Sequence, residues 1–598
     1  MSPKRIRAVA SNSMTAAFVA AFSLGCGQSR GGNGGSGRND FTAGSSSQLG
    51  GMGGAAARAM SGSGATTSSG SSGSSAVAPD AGGAPSGGAD GVSAAGVGGS
   101  SASRGGATGA DGGRLGTGGV PGAGGTFAAS GNAGMPHAQG GVGGSAGASS
   151  CGPASVALSG MDAVDGALIT FNDNGGWSWF QDERALVDTK ANKLLIGSVA
   201  SGGTRDGYVE ATTYDLAAKT KELQTISTGL ASSVDDHNAP AFVIRPDGHY
   251  VAMYSGHRID CYSRVSIFDG MAWSTEQKFD WTPLGCPWAG AATNMITYSN
   301  PWYLGTSILS AVRAVDTYPA LITSADDGQS WSYEGLLTFT TDVEIGGYFK
   351  YWGNNTDRLD FIGTEAHPRD YDNNLWHGYV QSGMTYDSTG TVVDSSLTDA
   401  NSTSTNAKGI ATYTPVFATG TIIKGSEMSH AWDIDLVRYA DATIGVIFQA
   451  RADWTPSNTD STTQHPDDRL LYARFDGTTW KLTYLVKAGP QLTPDEEDYT
   501  GLGALDPDDP NTVYVSSPYD PSTDTLGSSG KHEIWRGTTC DHGASFEWTP
   551  VTANSTEDNL RPIVPKWDAD HHALLWLQGT YTSSQSYALS IVGLISGQ

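Results

Sequence analysis

The sequence predicts an all-β fold, a seven-bladed β-propeller set behind a disordered Gly/Ser-rich N-terminal tether. Three observations carry this reading. From Cys151 onward, short β-branched and aromatic runs alternate with clusters of Gly, Asp, Asn and Pro, with little apolar recurrence at helical spacing. An S-x-D-x-G-x-x-W segment, Ser324 to Trp331, recurs in weaker form at three other places. Its closing aromatic repeats after 58 residues (Trp273 to Trp331) and after 66 (Trp480 to Phe546), a period that divides the 448 residues from Cys151 to Gln598 about seven times. Propellers consist of about four to eight four-stranded blades around a channel.

The tether is read from composition. All 16 Trp and 23 Tyr lie after residue 150, and between Gly27 and Ser150 there is no Ile, Lys, Glu or Cys. A Gly/Ser/Ala segment of this kind buries too little apolar surface to offset the entropy of ordering it. Residues 1–150 carry eight Lys/Arg against four Asp/Glu, a net of +4, which leaves −30 of the chain's −26 on residues 151–598. So acidic a folded part argues against a nucleic-acid partner, because phosphate binding needs a basic face.

Residues 1–26 read as an export signal. Lys4, Arg5 and Arg7 precede a short apolar core, Met14 to Leu24, too short to span a bilayer. The ending Ser23-Leu24-Gly25-Cys26 resembles a bacterial lipoprotein signal with Cys26 as the acylated residue, although Ser23 stands where Leu is usual. The expected location is extracellular or at the bacterial surface, with contact to the membrane only through Cys26. The alternative is simple cleavage and secretion. Residues 27–150 then form the linker and 151–598 the propeller. In an oxidising compartment Cys151, Cys261, Cys286 and Cys540 allow two disulfides. Proximity favours Cys261 with Cys286, and Cys151 with Cys540 would tie the ends of the domain. No CxxC or HExxH spacing supports zinc, and no cofactor or metal is expected.

The recurrent segment resembles the Asp-box of sialidase-like propellers. Its weaker copies are Phe268 to Trp273, Phe475 to Trp480 and Thr539 to Phe546. The Asp caps backbone amides, the Gly takes a left-handed φ and the aromatic packs between sheets, so its role is structural.

Chemistry is expected at the channel mouth, from polar residues at strand ends in different blades. In DDHNAPAFVIRPDGHYVAMYSGH, residues 235–257, Pro246-Asp247-Gly248 marks a turn between two strands. Counting outward from Arg245 opposite His249 sets His237 opposite His257, which places two imidazoles side by side if the pairing persists. Tyr298 opens Tyr298-Ser299-Asn300-Pro301, Arg313 follows a return strand, and Glu365-Ala366-His367-Pro368-Arg369-Asp370 follows an apolar run. Trp177, Trp179, Trp288 and Trp302 are candidates for stacking on sugars. Glu365 and Asp236 would serve as a glycosidase carboxylate pair, but structural roles are preferred for them.

Taken together, the segments around His237 and His257, Tyr298, Ser324 to Trp331, His367 to Asp370 and the closing Leu574-Leu575-Trp576-Leu577-Gln578-Gly579-Thr580-Tyr581 resemble the BNR-4 repeat family, which includes seven-bladed ulvan lyases. The resemblance implies β-elimination on a uronic-acid-containing, ulvan-like polysaccharide, with His237 and Tyr298 as acid and base and His257, Arg313 and Arg369 binding substrate. The segment around Arg313 departs from the family pattern in lacking a Gly after the Arg. The expected partner is an anionic polysaccharide and the expected state a monomer.

These residue types suit the reaction. Removing the proton beside a charged uronate builds a dianion unless cations neutralise the carboxylate, and a well-placed donor contributes roughly 3–4 kcal/mol. A base must take the proton and an acid must protonate the leaving oxygen. His237 as base with Tyr298 as acid satisfies this, as does Tyr298 in both roles with His237 on the carboxylate. The rival functions are a sialidase-like glycoside hydrolase, for which no Arg-Ile-Pro opening is found, and a non-catalytic carbohydrate-binding lipoprotein.

Overall fold

A computed structural model describes residues 157–597 apart from 231–233, 287–295, 316, 341–344, 398–406, 453–466, 494, 495 and 497. The export signal with Cys26, the linker, Cys151 and Trp288 therefore lie outside the described residues.

Seven antiparallel sheets form the blades of a β-propeller. The first comprises Ala185–Asp188, Lys193–Val199, Val209–Asp215 and Thr220–Ser227, and the second Ala241–Ile244, Tyr250–Ser255, Tyr262–Phe268 and Gln277–Asp280. The third is Thr297–Leu304, Ser307–Ala314, Tyr318–Ser324 and Ser332–Leu336. The fourth is built on Phe349–Gly353, Arg358–Gly363, Leu375–Gln381 and Met384–Asp387, and the fifth on Ser426–Arg438, Ile444–Ala452, Asp467–Phe475 and Trp480–Lys487. The sixth is Gly503–Leu505, Thr512–Ser517, Glu533–Thr538 and Glu547–Pro550. The seventh joins Asp558–Ile563, His572–Ser583 and Ser586–Ser596 to Ile169–Asn172 from the start of the domain. That last pairing closes the ring by hydrogen bonds between its two ends, an arrangement that the repeat spacing does not reveal.

The inner strands are buried on both faces because each blade packs between two others. Ile444–Ala452 is accordingly buried at every position, Gln449 and Arg451 included. The buried indole of Trp281 donates its N–H to Ser263 Oγ at 2.9 Å. The Cys261–Cys286 disulfide forms beside it, as proximity predicted.

The four turn segments lie where a structural role requires, between the third and fourth strands of blades two, three, five and six. Asp326 and Asp541 accept from the backbone N–H of Ser330 and Ser545 at 2.8 and 2.9 Å. Asp269 and Asp476 cap shorter versions of the same turn.

Polar side chains fill the channel. Asp182, Arg184, Lys350, Asp433, Asp435 and Arg561 are all buried. Arg561 donates to the carbonyls of Trp179 and Gln181 at 2.7 and 2.8 Å, and Lys350 also donates to Gln181 O. Burial pushes the carboxyls of Asp182 and Asp433 up to about 7 and that of Asp435 up to about 8.

Candidate active site

Each first strand starts at one mouth of the channel, and the linkers between blades bring the candidate residues there. In the second blade, Asp235 accepts the backbone N–H of His237 and caps a single 3₁₀ turn, Asp236–Asn238. The regular ladder ends at Ala241 opposite Met253, four residues short of the histidines. Asn238 replaces it by accepting the His257 backbone N–H at 2.8 Å. The count across the hairpin thus places the rings correctly although the pairing itself stops.

The rings of His237 and His257 stack at 4.2 Å between centroids. Asp235 lies between their Nδ1 atoms, 2.6 Å from His237 and 2.9 Å from His257. Asp236 is 2.9 Å from the same His237 nitrogen and accepts from Tyr581 OH at 2.9 Å. Burial opposes a charge on His237, but Asp235 and Asp236 outweigh it and hold the imidazolium well above the ordinary histidine range. Burial and the neighbouring His237 cation push His257 down to about 4. At neutral pH the pair therefore carries one positive charge, on His237. Asp235, His237 and His257 also present three ligand atoms within 4.8 Å of one another, a set able to hold a metal ion.

Tyr298 stands beside this pair, its ring 5.5 Å from that of His237. It sits in a β-bulge between Thr297 and Asn300, and its φ of 57° is left-handed, a conformation that costs an aromatic residue about 1 kcal/mol or more. Asn300 holds it there: its Nδ2 donates to Tyr298 O at 2.8 Å, while Arg184 donates to Asn300 Oδ1 at 3.0 Å. His430 and Arg561 also have positive φ at register shifts within the first strands of the fifth and seventh blades, so the left-handed bulge recurs around the ring. Burial, then Tyr348, pushes the Tyr298 phenol well above its ordinary value, so it is protonated.

Arg313 enters through register, since Thr297 pairs with it across the ladder of the third blade. Its guanidinium lies 4.6 Å over the Tyr348 ring, and Tyr348 meets His367 edge-on at 5.2 Å. Burial, with Arg313 and Arg369 close by, pushes His367 down to about 3. Arg369 is engaged by Asp498 at 3.0 Å and by Glu496. Its ion pair is thus made with the loop before the sixth blade, not with Asp370.

Two tryptophans expected to stack on sugars do not. Trp177 and Trp179 are 1% and 0% exposed, and Trp179 donates to Thr500 O at 2.6 Å. They form the floor of the mouth with Phe180, Trp432, Tyr499 and Tyr581. Glu365 is structural, accepting from Asn374 and Trp376. His377 is buried between Asp360 and Ser388, away from the mouth. Sequence reasoning missed Asp235, Tyr348 and Tyr581 as members of the site. Asp235 stands two residues before His237 and carries its own signal, whereas Tyr348 and Tyr581 are marked only by their place in the ring.

No protein-family model matches the chain, and no curated protein sequence matches it. Among solved structures it is similar to an ulvan lyase of polysaccharide lyase family PL25, at 11% identity over 72% of this chain and 96% of that one, with a TM-score of 0.49. It is also similar to the polysaccharide lyase Uly1, at 13% identity over 74% and 100% of the two chains and a TM-score of 0.42. The NanB sialidase of Streptococcus pneumoniae matches at 13% identity over 71% and 70%, with a TM-score of 0.32. Identities this low transfer no activity.

Proposed function

We propose that this protein is an exported polysaccharide lyase that cleaves a uronic-acid-containing polymer by β-elimination. The observation that supports it most is the buried, protonated Tyr298 phenol held beside a histidine pair that carries a single positive charge. Export, anchoring through Cys26 and the monomeric state belong to the same proposal.

In this reading the uronate carboxylate lies against the His237 imidazolium and Arg313. Both Nδ1 atoms rest on Asp235, which leaves Nε2, at the far edge of each ring, for substrate. Neutralising the carboxylate lowers the cost of taking the proton from the adjacent ring carbon. Neutral His257 removes that proton. The electron pair forms the ring double bond, and the bond to the leaving glycosidic oxygen breaks. Tyr298 then supplies the proton to that oxygen. Such transfers contribute roughly 10²–10⁴-fold each. Arg369, already spanned by Asp498 and Glu496, belongs to the rim of the subsite in this reading.

The net acidity of the domain does not oppose an anionic substrate at this mouth, because surface carboxylates more than about 8 Å away are largely screened at physiological salt.

Product mass tests the reaction class. Elimination divides a uronate oligosaccharide, for example one prepared from ulvan, into fragments whose masses sum to that of the substrate, one fragment carrying a double bond. Fragments that together exceed the substrate by one water would make the enzyme a hydrolase.

A further inference from the structure

Two carboxylates of very different character hold Arg369 at the rim of the proposed subsite. Asp498 is 2% exposed and fixed on three sides. Its Oδ2 accepts from Arg369 Nε at 3.0 Å, its Oδ1 from Arg451 Nη2 at 2.6 Å, and its backbone carbonyl from Gln449 Nε2 at 2.7 Å. Glu496 is 42% exposed, and its Oε2 accepts from Arg369 Nη2. Its carboxylate has no second hydrogen-bond partner among the described residues. The backbone beneath it is nevertheless pinned. Glu496 pairs with Thr493 in a β-bridge, and its carbonyl accepts from Tyr499 N at 3.1 Å. What remains free to turn is the Glu496 side chain.

Two features make this an occupied anion subsite. The Arg369 side chain is 25% exposed, so its guanidinium meets solvent beside Glu496. It also stands next to the reacting groups. The Arg369 backbone N–H donates to His367 Nδ1 at 3.3 Å, and the His367 ring meets Tyr348, which lies under the Arg313 guanidinium.

Exposed ion pairs are weak, typically worth a factor of about 5 or less. A carboxylate or a sulfate ester of a polymer makes the same charge-assisted bond to a guanidinium and can take the place of Glu496. Asp498 keeps Arg369 in position through such an exchange. A neutral sugar brings no charge to replace the one it would displace.

We infer that Glu496 is a resident competitor for substrate: its carboxylate occupies Arg369 in the free protein, and an anionic group of the incoming polysaccharide displaces it. Glu496 is thereby a specificity-determining residue that sets the affinity an anionic polymer must reach. The inference rests on the proposed function for the anionic polymer, but not for which atoms react.

The test is affinity electrophoresis of the full chain in a Tyr298→Phe background, which holds turnover down. The gels contain polygalacturonate, with carboxylates alone, dextran sulfate, with sulfate esters alone, or neutral dextran. Glu496→Gln keeps the size of the side chain and removes its charge. Asp370→Asn removes the same charge from the residue after Arg369 and serves as the comparison. The expected result is about 2–5-fold tighter binding of at least one anionic polymer by Glu496→Gln, with dextran unaffected and less than half that gain in Asp370→Asn. The polymer that responds identifies the displacing group. With Tyr298 restored, KM for a cleaved polymer should fall by the same factor while kcat is unchanged. Melting curves check that the variants fold, and Glu496→Ala repeats the test by a second substitution. If the parent binds either anionic polymer, unchanged or weakened affinity in Glu496→Gln, or an equal gain in Asp370→Asn, overturns the inference and leaves the elimination reading standing. Binding of neither anionic polymer by parent or variant overturns both.

Discussion

His237 and His257 stack at 4.2 Å and share one carboxylate, Asp235, which meets the Nδ1 atom of each. Two imidazoles this close repel if both are charged, so the environment divides them: burial and its neighbour push His257 down to about 4, while Asp235 and Asp236 sustain the charge on His237. The proposed chemistry depends on that division.

Asp235→Asn removes the shared carboxylate. The expected outcome is a loss of roughly 10–100-fold in kcat/KM, of the size seen when a partner that orients a histidine is removed. The His237 pKa, followed by NMR of the imidazole protons, should fall towards the ordinary value. Unchanged activity together with an unchanged His237 titration would remove Asp235 from the account.

Asn300→Ala tests the strained bulge. Asn300 bridges Arg184 to the Tyr298 carbonyl, so its loss frees a residue held at φ 57°. With substrate-binding groups untouched, kcat should fall by about tenfold while KM moves little, the pattern of a lost transition-state interaction. A fall in KM-controlled binding alone would show that the bulge does not position Tyr298.

How much of this was legible follows from which interactions are local. The Cys261–Cys286 pairing and the nearness of His237 to His257 could be read because both follow from short separations in one blade. The turn segments were legible for the same reason, since their hydrogen bonds run within four residues. Closure of the ring by Ile169–Asn172 was not, because it pairs strands more than 400 residues apart. Nor was the burial of Trp179, whose ring meets Tyr499 and Tyr581 brought in from far along the chain. The same limit explains Arg369, whose partners Glu496 and Asp498 come from the loop between the fifth and sixth blades, more than 120 residues on, rather than from adjacent Asp370.

Stability should fall as pH rises towards 8. Burial raises Asp182 and Asp433 from 3.8 to about 7, and Asp435 from 3.8 to about 8. Below 3.8 these groups are protonated in both the folded and unfolded chains. Above it the unfolded chain ionises while the folded one keeps its protons, so stability declines until the folded pKa is passed. His257, lowered to about 4, and His367 and His430, lowered to about 3, work the other way up to 6.5 and offset the decline there. His237, raised above 6.5, adds to the decline beyond that point. Calorimetric midpoints between about pH 6.5 and pH 8 should therefore drop, and Asp433→Asn should flatten the slope. A midpoint that rises across this range would contradict the assignment.

Reducing the Cys261–Cys286 bond, or replacing both residues with Ser, frees a loop with a sequence separation of 25. The chain-entropy model gives a loss of about 3.5 kcal/mol, to be read from denaturant unfolding. An unchanged midpoint would mean that the neighbouring Trp281 packing alone fixes this segment.

The measurement that tests the central claim most directly is an ultraviolet absorbance time course on the protein with a panel of polyuronides, ulvan first, beside Tyr298→Phe. The account predicts a rise from the conjugated C4–C5 double bond in the parent, reduced by at least about 100-fold in the variant, which keeps the ring but loses the proton. New reducing ends without any such rise, or a rise undiminished in Tyr298→Phe, would contradict it.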